Sequence, residues 1–193
     1  MKKLKFVILT VMSVLSIGCE KRDPNILTDE ASAAIKRFEG SYRVEEMRWI
    51  GPDVDIDMDG IPDEVFNKNQ VLYFDSEWKT NVQGIGRLDE SSFFDFCFPV
   101  SRLDDYNAGE EYSDIRPQLT LWICAASYSV DAAGLITVGI PDVDNQGQYL
   151  KNFKFEHLPD GFSITSEGRL WDFMTGGEVK GKLTVTYKKI TRI

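Results

Sequence analysis

The chain has 193 residues, with 22 lysines and arginines against 31 aspartates and glutamates, one histidine and three cysteines. A net charge of −9 argues against nucleic acid as a partner, because its phosphates are bound through a surplus of Lys and Arg. One histidine and no glycine-x-serine-x-glycine segment leave a Ser-His-Asp hydrolase or a His/Cys zinc site without support.

Lys2, Lys3 and Lys5 precede an apolar stretch from Phe6 to Ile17, and Gly18 stands directly before Cys19. This is the three-part layout of a secretory signal peptide over residues 1–18, with an apolar core too short to span a bilayer. Leu15-Ser16-Ile17-Gly18-Cys19 resembles the lipobox of bacterial lipoproteins, with the leucine one position further from the cysteine than is usual there. The resemblance implies cleavage before Cys19, lipid on its sulfur, and residence in the envelope of a Gram-negative bacterium. Glu20, where many lipoproteins carry an inner-membrane retention aspartate, points to the outer membrane. Several acyl chains suffice to hold a domain at a membrane, since each buried methylene contributes roughly 0.8 kcal/mol. Processing removes three lysines and no acid, leaving 19 basic against 31 acidic side chains and a mature charge of about −12. Residues 19–27, with Asp23-Pro24-Asn25, read as anchor and linker, and 28–193 as a single domain with an aromatic-rich core.

Thr28, followed by Asp29 and Glu30, caps a short helix ending at Lys36-Arg37-Phe38, with acids at its positive end, bases at its negative end and Gly40 to stop it. From there the hydrophobic period becomes two. Tyr42 and Val44 share a parity, as do Phe94, Phe96, Phe98 and Val100. Leu119, Leu121 and Ile123 alternate with Thr120, Trp122 and Cys124. Phe153, Phe155 and His157 share a parity; so do Phe162 and Ile164, Trp171 and Phe173, and Leu183, Val185 and Tyr187. Turn signals at Ala133-Gly134, Asp160-Gly161, Glu167-Gly168 and Gly176-Gly177 space the strands as in an antiparallel barrel or sandwich. The opening Phe38-Glu39-Gly40-Ser41-Tyr42-Arg43-Val44 and the closing strand Lys180 to Tyr187 resemble lipocalin-like domains of secreted bacterial lipoproteins. That resemblance implies an up-and-down barrel of about eight strands, its interior holding one small ligand or filled by side chains. A β-sandwich is the alternative.

Asp55-Ile56-Asp57-Met58-Asp59-Gly60-Ile61-Pro62-Asp63 places aspartates at alternate positions around a glycine. Calcium takes six to eight hard oxygens, and this spacing brings carboxylates to one point while glycine permits the bend. The segment resembles the calcium loops of EF-hand, dockerin and thrombospondin-type repeats. The resemblance implies side-chain ligands from Asp55, Asp57 and Asp59, the carbonyl of Ile61, and Asp63 directly or through water. Phe66 stands where an EF-hand has its bidentate glutamate, and Glu64 is the nearest substitute, so weak binding of about 10⁻⁴ to 10⁻³ M is expected. A solvated acidic turn is the alternative.

Cys97 and Cys124 form an even pair in a compartment where disulfides persist, and a bridge would contribute about 3.5 kcal/mol; two buried free thiols are the alternative. Asp142 to Gly147 reads as a hairpin loop. His157 reads as a core or barrel-lining side chain. Among Trp49, Trp78, Trp122 and Trp171, the parity of Trp122 makes it the candidate for ligand contact. These features describe a lipid-anchored envelope binding protein with structural calcium and no catalysis. Its ligand would be a small amphipathic molecule or a glycan. The alternatives are a structural or interaction module of an envelope assembly and, less favoured, a carbohydrate-active enzyme with two facing carboxylates.

Overall fold

The computed structural model of the chain describes residues 23–66, 70–71, 78–102, 118–145 and 148–190. The expected signal peptide and Cys19 lie outside these residues. Thr28 caps a helix, α1 (Asp29–Phe38), its hydroxyl oxygen accepting from the Ala31 N–H at 3.1 Å and donating to the Ala132 carbonyl at 2.7 Å. Ala31, Ala34, Ile35 and Phe38 recur at helical spacing and are all buried, so one face of the helix belongs to the core. The Tyr42 hydroxyl donates to the Phe38 carbonyl at 2.6 Å and ties the helix to the strand that follows.

The strands are β1 (Gly40–Ile50), β2 (Val65–Phe66), β3 (Thr80–Val82), β4 (Ser92–Arg102), β5 (Gln118–Val130), β6 (Ile136–Gly139), β7 (Val143–Asn145), β8 (Gln148–Leu158), β9 (Gly161–Asp172) and β10 (Gly177–Lys189). They form two antiparallel sheets. The larger has the order β2-β1-β10-β9-β8-β7, with β3 also on β1; the smaller is β4-β5-β6. β2 and β3 pair with opposite ends of the same edge of β1, at Met47–Arg48 and Gly40–Tyr42, while β10 takes its other edge. The expected class, antiparallel β after a short helix, is therefore present.

Among the described residues no ladder joins the two sheets, and side chains bridge them instead. The hydroxyl of Tyr187 on β10 accepts from the Cys97 N–H at 3.0 Å and donates to the Cys97 carbonyl, satisfying the unpaired edge of β4. The Trp171 N–H on β9 donates to Ser101 Oγ at 2.8 Å. Between the sheets Phe162 touches the rings of Phe38, Tyr42, Phe94, Phe155 and Tyr187 at centroid distances of 4.8–6.1 Å. Phe96, Phe98 and Phe153 continue the column at 5.8–6.2 Å.

Three local expectations change. Glu167-Gly168 is no turn but the middle of β9, hydrogen-bonded on both sides, with Gly168 opposite Gly181. Gly181 is needed there because a Cβ would meet the Trp49 ring at 2.4 Å. On β5 Leu119 is buried and Leu121 packs on the core, but from Ile123, 60% exposed, onward the core parity is that of Cys124, Ala126, Tyr128 and Val130, all buried. Trp122 thus faces inward, opposite Phe98 and packed on the core. Third, Cys124 stands opposite Phe96 and Cys97 opposite Ile123. The one-residue offset sends their side chains to opposite faces of the ladder, and both remain free thiols in place of the expected bridge.

Burial pushes the Cys97 thiol up to about 11, against a lowering contact from Tyr187, and the Cys124 thiol up to about 12. Neither is a thiolate at neutral pH. A colorimetric thiol reagent should therefore count no reactive cysteine among Cys97 and Cys124 in native protein at pH 8, and both in denaturant without reductant. A zero count in denaturant would reveal a disulfide and a slipped β4–β5 register.

Candidate metal centre

β1 ends at Ile50, Gly51-Pro52 turns the chain outward, and residues 53–64 loop back to β2. Two backbone bonds close the neck: the Trp49 N–H donates to the Glu64 carbonyl at 2.7 Å, and the Asp63 N–H to the Val54 carbonyl at 2.6 Å. Val54 and Ile56 are buried and anchor the loop, which draws Asp55 inward until it is only 2% exposed.

A carboxylate so buried must be satisfied. Oδ1 of Asp55 accepts from the N–H groups of Asp57 at 3.2 Å and Met58 at 2.7 Å, and Oδ2 accepts from Gly60 at 3.0 Å. Wrapping the backbone this tightly puts Met58 and Gly60 in the left-handed region, at φ 66° and 79°. The glycine adopts this freely, whereas Met58 is held there by its bond to Asp55.

A second buried carboxylate fastens the loop from outside. Asp172, at the end of β9, accepts the Asp55 N–H at 2.9 Å, the Met174 N–H at 3.2 Å, and both the N–H and hydroxyl of Thr175, at 3.1 and 2.5 Å. In return the Phe173 N–H donates to the Asp55 carbonyl at 2.9 Å. The β9–β10 turn and the acidic loop are thus one hydrogen-bonded unit. Burial alone raises the Asp172 pKa, but the donors together outweigh it and hold the carboxyl below its usual value of 3.8.

Of the five expected metal ligands, the structure brings three together. One carboxylate oxygen each from Asp55, Asp57 and Asp63 lie within 4.8 Å of one another. Two oxygens bound to one calcium at 2.3–2.6 Å can be at most about 5.2 Å apart, so spacing and donor type both fit a hard divalent cation. Asp59 instead accepts the Ile61 N–H at 2.7 Å, and the Ile61 side chain is 65% exposed. Glu64 is taken by Arg48, which also holds Glu46. Gln70 occupies the other side of the cluster, its amide donating to Asp57 Oδ2 at 2.8 Å and Asp63 Oδ1 at 2.7 Å. The loop spacing carries no sign of Gln70, which reaches the cluster only through tertiary folding. Burial, with Asp57 and Asp59 adding like charge, raises the Asp63 pKa despite the Ile56 and Gln70 hydrogen bonds.

The remaining candidates lie elsewhere. His157, exposed at the α1 end, packs edge-on against Phe38 and Phe155; burial of its ring and the nearby Arg37 charge lower its pKa. Trp49 donates from Nε1 to the Pro52 carbonyl at 2.8 Å. Cys19 lies outside the described residues. No family model, no curated protein and no solved structure matches the chain.

Asp172→Asn removes the charge that holds the loop to the turn and should lower stability by about 2–3 kcal/mol, seen as a fall in Tm of roughly 4–12 °C. Because the folded pKa lies below 3.8, the ionised carboxylate stabilises above that pH and its contribution disappears as the pH falls through the folded value. Acid titration should accordingly narrow the gap between native and Asp172→Asn proteins below about pH 4. A gap that stays constant to pH 2 would exclude this role.

Proposed function

We propose that this is a lipid-anchored, non-catalytic binding protein of the bacterial outer membrane, with a lipocalin-like domain clamped at one end by a calcium loop. The observation that carries the reading is the cluster of Asp55, Asp57 and Asp63 carboxylates within 4.8 Å of one another. The aromatic column around Phe162 occupies the space in which a lipocalin-like barrel would hold a ligand. Binding to a partner or small molecule then falls to the surface, and Trp122 contributes packing on the inner wall.

The barrel reading draws support from strand order. Apart from β2 and β3, which share one edge of β1, and the β3–β4 and β6–β7 breaks, chain neighbours are sheet neighbours, and β10 returns to β1, as in an up-and-down barrel with two open seams. Calcium, bound through Asp55, Asp57 and Asp63, would neutralise a cluster of like charges and brace the loop against Asp172. The side chains of this chain do the rest without metal: Asp55 folds the loop and Asp172 docks it.

Anchoring fits the geometry too. The described chain enters at Asp23, which pairs with Arg87, and Ile26 bridges Arg87 beside α1. The acidic loop sits beyond the far end of β1, an 11-residue strand about 33 Å long. A lipid on Cys19 would therefore put α1 toward the membrane and the acidic loop away from it. Among the described residues no helix is long and apolar enough to cross a bilayer.

Two measurements test these readings separately. Radiolabelled palmitate should enter the wild-type chain and not Cys19→Ser, which should leave the membrane fraction; equal labelling would remove the anchor. Calcium at 100 times its Kd should stabilise the protein by about 2.7 kcal/mol, roughly 5–11 °C in Tm. Asp57→Asn with Asp63→Asn should abolish that shift, while Asp59→Asn should keep most of it. No shift with 10 mM calcium would make the loop an acidic turn held by Asp172, Gln70 and its own backbone hydrogen bonds.

A further inference from the structure

At the α1 end the surface carries a groove of about 650 Å³, bounded by the last turn of α1, the start of β6, the β8–β9 turn and the end of β10. It lies on an open seam between the sheets. β6 pairs only with β5, and β7 covers β8 only over Gln148–Leu150, so residues 152–158 have no strand on that side among the described residues. The apolar lining is Ile136 and Leu158, with the little surface that Phe38 and Tyr42 leave exposed, 3% and 2%, and the exposed Leu135 stands at the lip.

The rim has the opposite character from the molecule as a whole. Lys36, Arg37 and Lys189 line it, in a chain where acids outnumber bases 31 to 22. Arg48, Arg87 and Lys188 each hold two carboxylates, whereas Lys36, Arg37 and Lys189 hold none among the described residues. The one acid lining the groove, Asp160, is held by Lys188 at 3.5 Å. Lys189 is fixed in place, its Nζ 2.8 Å from the Arg37 carbonyl and 5.9 Å from the Tyr42 ring centroid. The helix dipole accounts for basic residues in the last turn. It does not account for an apolar groove beside them whose one lining acid is held by another base.

We propose that this groove binds an amphipathic anion. Its alkyl or acyl chain lies on Leu135, Ile136 and Leu158, and its carboxylate or phosphate head pairs with Lys36, Arg37 and Lys189. The volume falls in the range of small-molecule sites, and the pairing of apolar wall with a few convergent charges is their usual composition. This deepens the envelope-binding reading on which it rests, by naming a ligand class and placing it outside the filled interior. The ligand is either a free acid or phosphate amphiphile or the headgroup region of a bilayer lipid, since both present the same chemistry.

The test uses the whole chain carrying Cys19→Ser and exploits its single histidine, His157, which lines the groove. Dodecyl phosphate below its micellar concentration should bind one-to-one and shift the His157 ring resonance. Dodecyl maltoside and inorganic phosphate should bind at least tenfold more weakly. Lys36→Gln with Arg37→Gln, both exposed, should weaken dodecyl phosphate at least tenfold while lowering Tm by only a few degrees. Co-sedimentation with phosphatidylglycerol vesicles that the double variant loses would assign the ligand to a bilayer. Binding of the monomeric amphiphile without vesicles would assign it to a free molecule. Equal binding of the neutral maltoside, unchanged affinity in the double variant, or saturation without a histidine shift would each overturn the groove site. Failure here alongside palmitate on Cys19 would discard the groove and leave the envelope reading standing. Amphiphile binding without palmitate would do the reverse.

Discussion

The ring of Phe162 is the point on which this structure turns. It contacts α1 through Phe38, β1 through Tyr42, β4 through Phe94, β8 through Phe155 and β10 through Tyr187. The helix and four strands, from both sheets, therefore share one side chain as a neighbour. No ladder joins the sheets among the described residues, so this aromatic packing and the Tyr187–Cys97 and Trp171–Ser101 hydrogen bonds hold them together. Edge-to-face and offset ring contacts add to the burial of large apolar areas, and a column of them is stiff as well as stable. The cost is volume: the rings of this column take up space between the sheets that a ligand would otherwise occupy.

That constraint divides the molecule into two ends with different chemistry. At one end α1 plugs the space between the sheets with Phe38, and the last turn of the helix sets Lys36 and Arg37 beside a groove. At the other end Asp55 and Asp172, both buried, convert two loose connections into one unit through reciprocal backbone hydrogen bonds. Asp172 and Asp63 are perturbed in opposite directions. Asp172 is surrounded by donors and acidified, while Asp63 faces Asp57 and Asp59 and loses acidity. A cluster with one reluctant carboxylate is the electrostatic situation that a divalent cation relieves.

Much of this was legible in advance. Thr28 with Asp29, Glu30 and the terminal bases specified α1, because caps and dipole complementarity are local. The alternation of Phe94 to Val100 and Leu183 to Tyr187 specified strands with the correct inner face, because large aromatic and aliphatic side chains must be buried somewhere. The approach of Asp55 to Asp57 followed from their spacing around Gly60. The inner face of β5 was harder to read, since Ile123 is apolar yet exposed, and the aromatic inward residues Trp122 and Tyr128 mark the core parity instead. Glu167-Gly168 looked like a turn because glycine breaks strands, but here it lies opposite Gly181, which makes room for the Trp49 ring.

What the sequence by itself determined is whatever depends on neighbours within a few residues: the helix and its caps, the strand periodicity and the acidic loop. What only the tertiary structure decided depends on register and on approach from far along the chain. A one-residue offset between β4 and β5 keeps Cys97 and Cys124 apart, and no spacing in the sequence encodes that offset. Asp172 reaches Asp55 across 117 residues, and Gln70 rather than Asp59 completes the acidic cluster. Hydrogen bonds and ring contacts act over a few ångströms of space, so only the folded chain selects which distant residues come within their range.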